Sequence, residues 1–280
     1  MKIGIIGNGY VGKATALFGC EDINVVIYDK MSNKCVPFNT QPRDMEDCEL
    51  VFVCVPTPMS QDGSSCNTSI VEEAIASLRQ YVSNDKIVLR STVPVGTAKK
   101  LGVMYMPEFL TEANWENDVK KCMDWVVGLQ NPNSFTAKTA FNNLFLEAYR
   151  SKKIATPYPI FMSTEEAELV KNGRNAFLAT KVSFFNEIEE FCRLKNISYE
   201  VVKQGIAIDK RIGDSHSAVP GPDGKRGYGG TCFPKDIASL YHQMSEQGME
   251  SFILEASIAR NNQVDRTEQD WKQNKGRAVT

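Results

Sequence analysis

One cysteine of the sequence, Cys232, lies in a glycine-rich stretch and is followed closely by a proline, a lysine and an aspartate: GYGGTCFPKD, residues 227–236. A helical pattern begins directly after it, and a helix N-terminus lowers the pKa of a thiol and makes it nucleophilic. The glycines leave the backbone open for close approach by a ligand. Lys235 and Asp236 add a cation and an acid–base group within one turn. The stretch therefore predicts a reactive cysteine, with a structural loop cysteine as the alternative.

A second candidate site is the stretch GNGYVG, which follows an apolar, strand-like run. Gly7 permits a tight turn, Gly9 lets a pyrophosphate approach the backbone, and Gly12 lets helix and strand pack closely. Asp29 closes the next strand, where a carboxylate can accept both ribose hydroxyls and would repel a 2′-phosphate. We therefore predict NAD binding, with Asp29 as a simple turn residue as the alternative. Lys34 is expected either along the adenosine or in solvent.

The composition narrows the class of protein. The chain has 280 residues and a net charge of −2, which gives no reason to expect nucleic acid or an anionic membrane as a partner. Its eight cysteines form no CxxC pair and it has only two histidines, so no metal site is expected. Most of these thiols should be small buried residues, as Cys54 illustrates. No window approaches the length of an apolar membrane span, and we expect a cytoplasmic protein.

The first part of the chain alternates apolar runs with helical segments at 11–20 and 69–82. Runs this apolar suit a parallel sheet that is covered on both faces. The pattern predicts an α/β fold, with a Rossmann-type doubly wound parallel sheet in a domain over residues 1–160. The predicted strands are KIGIIG (2–7), NVVIYD (24–29), LVFVCV (50–55), KIVLRS (86–91), VMYMP (103–107) and WVVGL (125–129), with KKIATP (152–157) as a further candidate.

The second part, residues 161–280, has a helical pattern. Ser163 and Glu166 form a capping-box signature, with Ser163 as N-cap. A run without proline continues from there to about Asn196, which predicts a long helix that connects the domains and supplies a dimerisation surface. A glycine-rich stretch at 213–230 interrupts the helical remainder. The residues spaced for one apolar stripe on the long helix are Leu169, Val170, Phe177, Leu178, Val182, Phe185 and Ile188.

Several motifs occur together in one order along the chain. They are GNGYVG (7–12), VPTP (55–58), STVPVGT (91–97), PEFLTE (107–112), KNGRN (171–175), DKRIG (209–213) and GYGGTCFPKD (227–236). Over about residues 1–262 the chain resembles the UDP-glucose/GDP-mannose dehydrogenase family. The resemblance implies an enzyme that oxidises the primary alcohol of a nucleotide sugar to a carboxylate with NAD⁺.

The motifs DKRIG and PEFLTE are more similar to the UDP-glucose branch of the family than to its other branches. The expected reaction is therefore the oxidation of UDP-glucose to UDP-glucuronate. The alternatives are the same chemistry on GDP-mannose or a UDP-N-acetylhexosamine, or a non-catalytic NAD-binding subunit that needs a partner chain.

The resemblance also implies roles for the candidate catalytic residues. Cys232 would capture the intermediate aldehyde as a thiohemiacetal, and a second oxidation would give a thioester that water cleaves. Lys171 and Asn175 match the family's oxyanion-stabilising lysine and asparagine. Without the resemblance, Lys171 would be interpreted as a solvated helix lysine.

The remaining implied residues are acid–base, cofactor and substrate contacts. Asp236 matches an aspartate that assists proton transfer with a water, and Thr92 and Glu112 match residues that position that water. Cofactor contacts are expected at Gly7, Gly9, Tyr10, Val11, Gly12, Asp29, Lys34, Pro56, Thr57, Thr92 and Lys235. Substrate contacts are expected at Glu108, Phe109, Leu110, Lys171, Asn175, Arg211, Tyr228 and Gly229. Arg211 would reach the sugar of a neighbouring subunit, which implies a homodimer.

The chain departs from the family pattern in two ways. Family members are typically longer, with a third α/β domain, and we expect the C-terminal nucleotide-binding domain to be lacking here. The stretch before Cys232 is extended and carries Lys225 and Arg226 beside the glycines. These two cations are expected either to meet a pyrophosphate or to lie in a solvated turn.

Overall fold

The structure is a computed structural model in which residues 1–60, 63–276 and 278–280 are described. Within these ranges the strands are β1 (Lys2–Ile6), β2 (Asn24–Tyr28), β3 (Leu50–Val53), β4 (Ile87–Leu89), β5 (Met104–Tyr105), β6 (Val126–Leu129) and β7 (Ile160–Ser163). The α-helices are α1 (Tyr10–Ala16), α2 (Ser69–Leu78), α3 (Thr97–Leu101), α4 (Trp115–Lys121), α5 (Phe135–Arg150), α6 (Thr164–Lys195), α7 (Tyr199–Ala207), α8 (Phe233–Glu246) and α9 (Phe252–Arg260).

The strands form one sheet in the order β2-β1-β3-β4-β5-β6-β7. All neighbouring pairs are parallel except β5 and β6, which are antiparallel. Because β1 lies between β2 and β3, the strand order reverses there, and open α/β sheets bind ligands beyond the carboxyl ends of strands at such a point. The predicted α/β class with a doubly wound, mostly parallel sheet is confirmed.

Helices cover both faces of this sheet because side chains alternate between faces along each strand. Ile5 and Phe52 belong to one apolar cluster, together with residues of α1, α4 and α5. Ile6 and Val53 belong to the other, together with residues of α2, α3 and the start of α6. The carboxyl ends of the central strands are thereby fixed by packing on two sides.

The predicted strand at 152–157 is wrong. Helix α5 ends at Arg150, and Lys152 takes a left-handed conformation with φ 57°. The amides of Lys152 and Lys153 donate to the carbonyls of Tyr149 and Ala148, so this stretch closes the helix instead of extending. The seventh strand is β7, which follows two prolines and pairs with β6.

The capping box that was predicted at the start of α6 is present. The Ser163 amide donates to Glu166 Oε2 at 2.7 Å, and the Glu166 amide donates to Ser163 Oγ at 3.3 Å. The apolar residues that are spaced for one stripe on this helix differ in burial, because Phe185 is buried whereas Leu169 and Phe177 are exposed. The buried positions of α6 are mostly small or polar: Thr164, Ala167, Glu168, Lys171, Asn172, Asn175, Ala176, Ala179, Ser183, Phe185, Asn186 and Cys192.

The chain divides into two compact units. The first comprises Met1–Thr57 and Thr68–Lys171, and the second comprises Pro58–Asn67 and Asn172–Thr280. The two units divide α6 between Lys171 and Asn172, and the domain boundary at residue 160 stays a prediction. Among the described residues, no helix is long and apolar enough to cross a membrane.

Candidate active site

The turn after β1 has the geometry that a dinucleotide fingerprint requires. Gly7 has φ +94°, and a Cβ there would lie 2.7 Å from the Cys54 carbonyl oxygen. A Cβ at Gly12 would lie 1.9 Å from the Gly7 carbonyl oxygen. At Gly9, by contrast, no heavy atom of the described residues lies within 4 Å of the Cβ position. The first and third glycines thus allow the fold, and the second leaves an open approach to the backbone.

Asp29 follows β2 and fixes this turn. Its Oδ2 accepts a hydrogen bond from the Asn8 amide at 2.8 Å, and its Oδ1 accepts one from the Met31 amide at 2.9 Å. The Asn8 side-chain amide donates to the Lys34 carbonyl at 2.7 Å. The Lys34 side chain is exposed, so the structure uses the backbone of this residue and leaves its cation in solvent.

These residues fit a bound dinucleotide. The buried Asn8 Oδ1 has no hydrogen-bond partner among the described residues. Each oxygen of the Asp29 carboxylate can accept a second hydrogen bond in addition to the one it has. Tyr10 and Val11 open α1 and are half-buried beside the open backbone at Gly9. Spare acceptors next to an open backbone are what a ribose and its pyrophosphate need.

The loops that follow β3 and β4 are joined by two hydrogen bonds. The Thr57 hydroxyl donates to the Thr92 carbonyl at 2.7 Å, and the Ser91 hydroxyl donates to the Val55 carbonyl at 2.6 Å. Thr57 is buried, Thr92 is half-buried and Pro56 is exposed. Two residues that sequence reasoning assigned to the cofactor, Thr57 and Thr92, are therefore in direct contact at the carboxyl edge of the sheet.

Lys171 and Glu108 form a buried ion pair in the first unit. Lys171 Nζ lies 2.8 Å from Glu108 Oε1 and donates to the Glu108 carbonyl at 2.7 Å. Glu108 Oε2 accepts from the Leu110 amide at 2.7 Å, and the Lys171 ammonium lies 5.8 Å from the centre of the Phe109 ring. The ammonium is therefore held in one place by a carboxylate that was predicted as a separate substrate contact. A held, desolvated cation is well suited to stabilise an oxyanion.

In the second unit, Asn175 and Lys235 hold the two oxygens of Asp236. Asn175 Nδ2 donates to Asp236 Oδ2 at 2.6 Å, and Lys235 Nζ donates to Asp236 Oδ1 at 2.5 Å. Lys235 Nζ also donates to Cys66 Sγ at 3.5 Å. Burial alone would lower the pKa of Lys235, but the Asp236 carboxylate together with the sulfurs of Cys66 and Cys232 outweighs burial, and the pKa is raised. The lysine thus remains a cation inside the unit.

Cys232 occupies the N-cap position of α8 and is half-buried. Its Sγ lies 3.7 Å from Thr231 Oγ1. Pro234 occupies the first turn of the helix, where a missing amide hydrogen costs little. The cysteine interacts electrostatically with the Lys235 ammonium. A thiol at the start of a 14-residue helix beside a cation has the environment that favours a thiolate.

Two glycines of the loop before Cys232 have a different purpose from the one predicted. A Cβ at Gly227 would lie 2.4 Å from Asn261 Oδ1, and a Cβ at Gly229 would lie 2.4 Å from Arg266 Cζ. Only at Gly230 does no heavy atom of the described residues lie within 4 Å of the Cβ position. Gly227 and Gly229 therefore make room for the protein's own side chains, and the open backbone is confined to Gly230.

Tyr228, which was predicted to contact substrate, has its ring in the hydrophobic core of the second unit. It packs with Ala176 and edge-on to Phe233. Burial raises the pKa of its phenol, whose hydroxyl faces the Ser257 carbonyl. Its backbone amide and carbonyl are both bonded to the side chain of Asn261. The ring therefore anchors the loop in the core. A ring in this position is not open to a substrate.

Lys225 and Arg226 form ion pairs with acidic residues of the chain. Lys225 Nζ lies 2.7 Å from Asp270 Oδ2 and 3.4 Å from Glu268 Oε1. Arg226 pairs with Glu189 of α6 and donates to the Asn186 carbonyl at 3.1 Å. Lys225 is exposed in a turn, as one of the two alternatives holds, and a contact of these cations with a pyrophosphate stays a prediction.

Two further predicted residues lie on the surface. Glu112 is exposed in the loop between β5 and α4. Arg211 is also exposed and is paired with Asp209 through three guanidinium–carboxylate hydrogen bonds of 2.5 to 3.1 Å. A substrate contact by Arg211 in a neighbouring subunit stays a prediction.

Sequence reasoning missed several residues around the cysteine loop. Cys66, Asn261 and Arg266 lie far from Cys232 in sequence and carry no motif that would have indicated their contacts. Glu168 caps the start of α3 through the amides of Gly96 and Ala98, at 2.6 and 2.7 Å. No motif of the sequence indicated this contact.

The comparisons with known proteins agree over most of the chain. Residues 30–148 match the NAD binding domain of the UDP-glucose/GDP-mannose dehydrogenase family, and residues 165–263 match the central domain of that family. The first match confirms NAD as the predicted cofactor class.

Individual relatives give the same result. The UDP-glucose 6-dehydrogenase of Pseudomonas aeruginosa is 31% identical over 93% of this chain, and the chain spans 65% of that protein. The UDP-glucose 6-dehydrogenase YwqF of Bacillus subtilis is 29% identical over 94% of the chain, which spans 66% of it. A solved UDP-glucose dehydrogenase from Pyrobaculum islandicum has a TM-score of 0.78 at 25% identity, covering 93% of this chain and 68% of its own. The chain thus belongs to the UDP-glucose/GDP-mannose dehydrogenase family, as its motifs predicted.

Proposed function

We propose that the chain is an NAD-dependent dehydrogenase that oxidises the primary alcohol of a nucleotide sugar to a carboxylate in two steps. Bound NAD⁺ would accept the hydride in each oxidation, held by the Gly7–Gly12 turn and Asp29. Lys171 and Asn175, four residues apart in one helix, would donate to the sugar oxygen as negative charge develops on it. Asp236, whose oxygens bond Asn175 and Lys235, would exchange the alcohol proton through a water.

Cys232 would act between the two oxidations. Its thiolate sulfur adds to the aldehyde carbon, a C–S bond forms, and the aldehyde oxygen takes a proton to give a thiohemiacetal. The second oxidation of that carbon leaves a thioester. Water then attacks the carbonyl carbon, the C–S bond breaks, and the products are the carboxylate and the regenerated thiol. A covalently held aldehyde is not lost while the cofactor is exchanged, which explains a thiol at this position.

The observation that carries the proposal is the environment of Cys232 in the second unit. The half-buried sulfur caps α8, with Lys235 and Asp236 in the first turn of the same helix and Asn175 bonded to Asp236. Family membership supports it, because the chain matches both the NAD binding and the central domain.

UDP-glucose is the substrate that we propose. Its support is the name of the relatives, since both curated proteins described above are UDP-glucose 6-dehydrogenases. GDP-mannose or a UDP-N-acetylhexosamine would undergo the same chemistry, and the family name covers GDP-mannose as well.

The experiment that tests the function is the stoichiometry of the reaction. The purified chain is incubated with NAD⁺ and one of several nucleotide sugars, and NADH and sugar acid are counted. Two NADH per sugar are expected with UDP-glucose. One NADH per sugar would indicate a simple alcohol dehydrogenase, and two with a different sugar would correct the substrate. NAD binding without turnover of any sugar would favour the non-catalytic subunit.

We also propose a homodimer that forms through α6. The support is a row of exposed aromatic side chains, Phe177, Phe184 and Phe191, that are 68%, 50% and 55% exposed. They recur every seven residues, the spacing at which two helices can pack along each other. A cytoplasmic location stays a prediction from the sequence.

A further inference from the structure

Gly229 lies three residues before the cysteine and has no conformational reason to be glycine. Its φ lies outside the left-handed region, unlike that of Gly227 and Gly230. What excludes a side chain is Arg266, because a Cβ at position 229 would lie 2.4 Å from Cζ, 2.6 Å from Nη2 and 2.8 Å from Nε of its guanidinium. The flat face of this group therefore lies directly against the loop backbone.

The guanidinium is fixed on its other sides. Arg266 Nε and Nη2 donate to the two oxygens of Asp270 at 2.7 and 2.9 Å, which is a bidentate pair. Arg266 Nη1 lies 2.7 Å from Asp223 Oδ2. Only 4% of Arg266 is exposed, so these bonds form largely out of water and define the position of the group.

Two asparagines, Asn261 and Asn186, hold the neighbouring loop residues. Asn261 accepts from the Tyr228 amide at 2.8 Å and donates to the Tyr228 carbonyl at 3.1 Å. Asn186 of α6 accepts from the Gly227 amide at 3.2 Å. The loop is thus hydrogen-bonded up to Tyr228. At Gly229, immediately before the residues that lead into Cys232, the three described atoms nearest to a Cβ would all belong to the guanidinium.

We propose that Arg266 is a positioning residue for Cys232: its guanidinium is the surface against which the backbone at Gly229 is set, so that the thiol is presented at the start of α8. An effect of Arg266 on turnover rests on the proposed function, whereas its effect on the position and reactivity of the Cys232 thiol does not. A displaced loop would move the sulfur away from the helix start and from Lys235, and the thiolate would lose stabilisation. Displacements of about 1 Å can cost about a hundredfold in rate.

The test is the alkylation of Cys232 by iodoacetamide in the full chain, followed by peptide mass spectrometry across neutral to alkaline pH. In Arg266→Ala we expect the rate at neutral pH to fall about tenfold, and the pH of half-maximal rate to move upwards. Low millimolar guanidinium ion should restore part of the rate, because it can occupy the space that the side chain leaves. Gly229→Ala should reproduce the effect, since its methyl group must displace the guanidinium.

A double-mutant cycle distinguishes this contact from general damage. In the Arg266→Ala background the Gly229→Ala change should cost at least about threefold less than in the original chain, because the clash is gone. Gly205→Ala is the matched control, since it adds a methyl group in the same unit where, beyond the backbone of its own helix, no described atom lies within 4 Å. If Arg266→Ala does not fold, Asp270→Asn is the second variant, because it weakens the hydrogen bonds that hold the guanidinium and keeps the arginine side chain.

Unchanged alkylation in Arg266→Ala and Gly229→Ala, or additive effects without rescue by guanidinium, would overturn the proposal. Altered alkylation of Cys232 in a chain that oxidises no nucleotide sugar would leave the positioning role standing and remove the proposed function instead.

Discussion

Three cysteines of this chain lie in different environments, which predict different reactivities for their thiols. Burial raises the pKa of Cys54, beneath the cofactor turn, to about 11. Burial also raises the pKa of Cys66, in spite of the nearby Lys235 ammonium. Cys232 alone of the three is half-buried at the first position of a helix. Reactivity is therefore expected at the last of these, since the thiolate is the nucleophile.

Replacing that residue should abolish acid formation. In Cys232→Ser the weaker nucleophile cannot form the thioester, and we expect production of sugar acid to fall by at least about 10³-fold. The measurement is sugar acid per enzyme by chromatography, with NADH followed in parallel. Cys20→Ser is the matched control, because Cys20 is also half-buried and lies between α1 and β2, outside the proposed site. Equal acid formation by both variants would remove Cys232 from the mechanism.

The buried pair of Lys171 and Glu108 gives a prediction on stability. Glu108→Gln leaves the Lys171 ammonium in a buried site without its carboxylate, and we expect the free energy of unfolding to fall by about 3 kcal/mol. Urea unfolding followed by circular dichroism measures it. Lys99→Met removes the exposed pair of Lys99 and Glu165 and should cost less than about 1 kcal/mol. Similar losses of unfolding free energy in both variants would contradict the prediction that the buried pair contributes more to stability than the exposed one.

At the scale of elements, α6 fixes the loops that carry the site in the first unit. Its first turns hold the start of α3 through Glu168 and the loop after β5 through Lys171. The two glutamates near its start differ in burial. Burial raises the pKa of Glu168 to about 7, although the Ala98 and Gly96 amides oppose it. The hydrogen bonds from Ser163 lower the pKa of the exposed Glu166.

These shifts predict opposite pH dependences. The folded chain binds the Glu168 proton more tightly than the unfolded chain does, so its contribution to stability is lost as the pH rises from about 4.5 to about 7. Glu168→Gln does not titrate, and across this window its stability should rise relative to the original chain by about 3 kcal/mol. Among the groups near Glu168, Glu165 raises its pKa further and the two amides lower it. Urea unfolding below and above the window measures the difference.

Glu166→Gln provides the control of opposite sign. The pKa of Glu166 is lowered, so its contribution is present at neutral pH and is lost as the pH falls through its lowered value. The difference in stability between this variant and the original chain should therefore be constant near neutral pH and change only in acid. If both variants changed stability in the same pH range, the assignment of the two environments would be wrong.

How far the sequence predicts this structure depends on the range of the interaction. The glycine fingerprint, the first six strands and the capping box of Ser163 are local patterns, and they are present. The strand at 152–157 failed because the turn that closes α5 continues through Lys152. The spacing of apolar residues on α6 could not predict which face of the helix is buried, since that depends on the elements that pack against it. Contacts between residues far apart in sequence could not be predicted. The sequence did not indicate that Lys171 pairs with Glu108, or that Gly229 packs against Arg266.

At the scale of the whole molecule, the exposed aromatic row on α6 is the feature that the isolated chain does not explain. A contiguous apolar surface in water favours association. In a two-fold dimer the same patch would lie on both subunits, which one row of residues along a single helix can provide.

A charged residue in the row should therefore separate the subunits. In Phe184→Asp we expect a monomer where the original chain is a dimer, because two carboxylates would be brought into an apolar contact. Sedimentation velocity at several concentrations measures the mass. Phe135→Asp is the matched control, an exposed phenylalanine at the start of α5 in the first unit. A monomeric original chain, or a dimer that survives Phe184→Asp, would contradict the proposed interface.

The segment Pro58–Asn67 belongs to the second unit, although it lies between β3 and α2 in the sequence. There Met59 exchanges backbone hydrogen bonds with Ala278 and Thr280, at 2.9 and 3.0 Å. The peptide therefore passes from one unit to the other three times, and no single protease cut can release either unit intact. During synthesis the sheet can form early, while this loop finds its partners only after Ala278 and Thr280 have been synthesised.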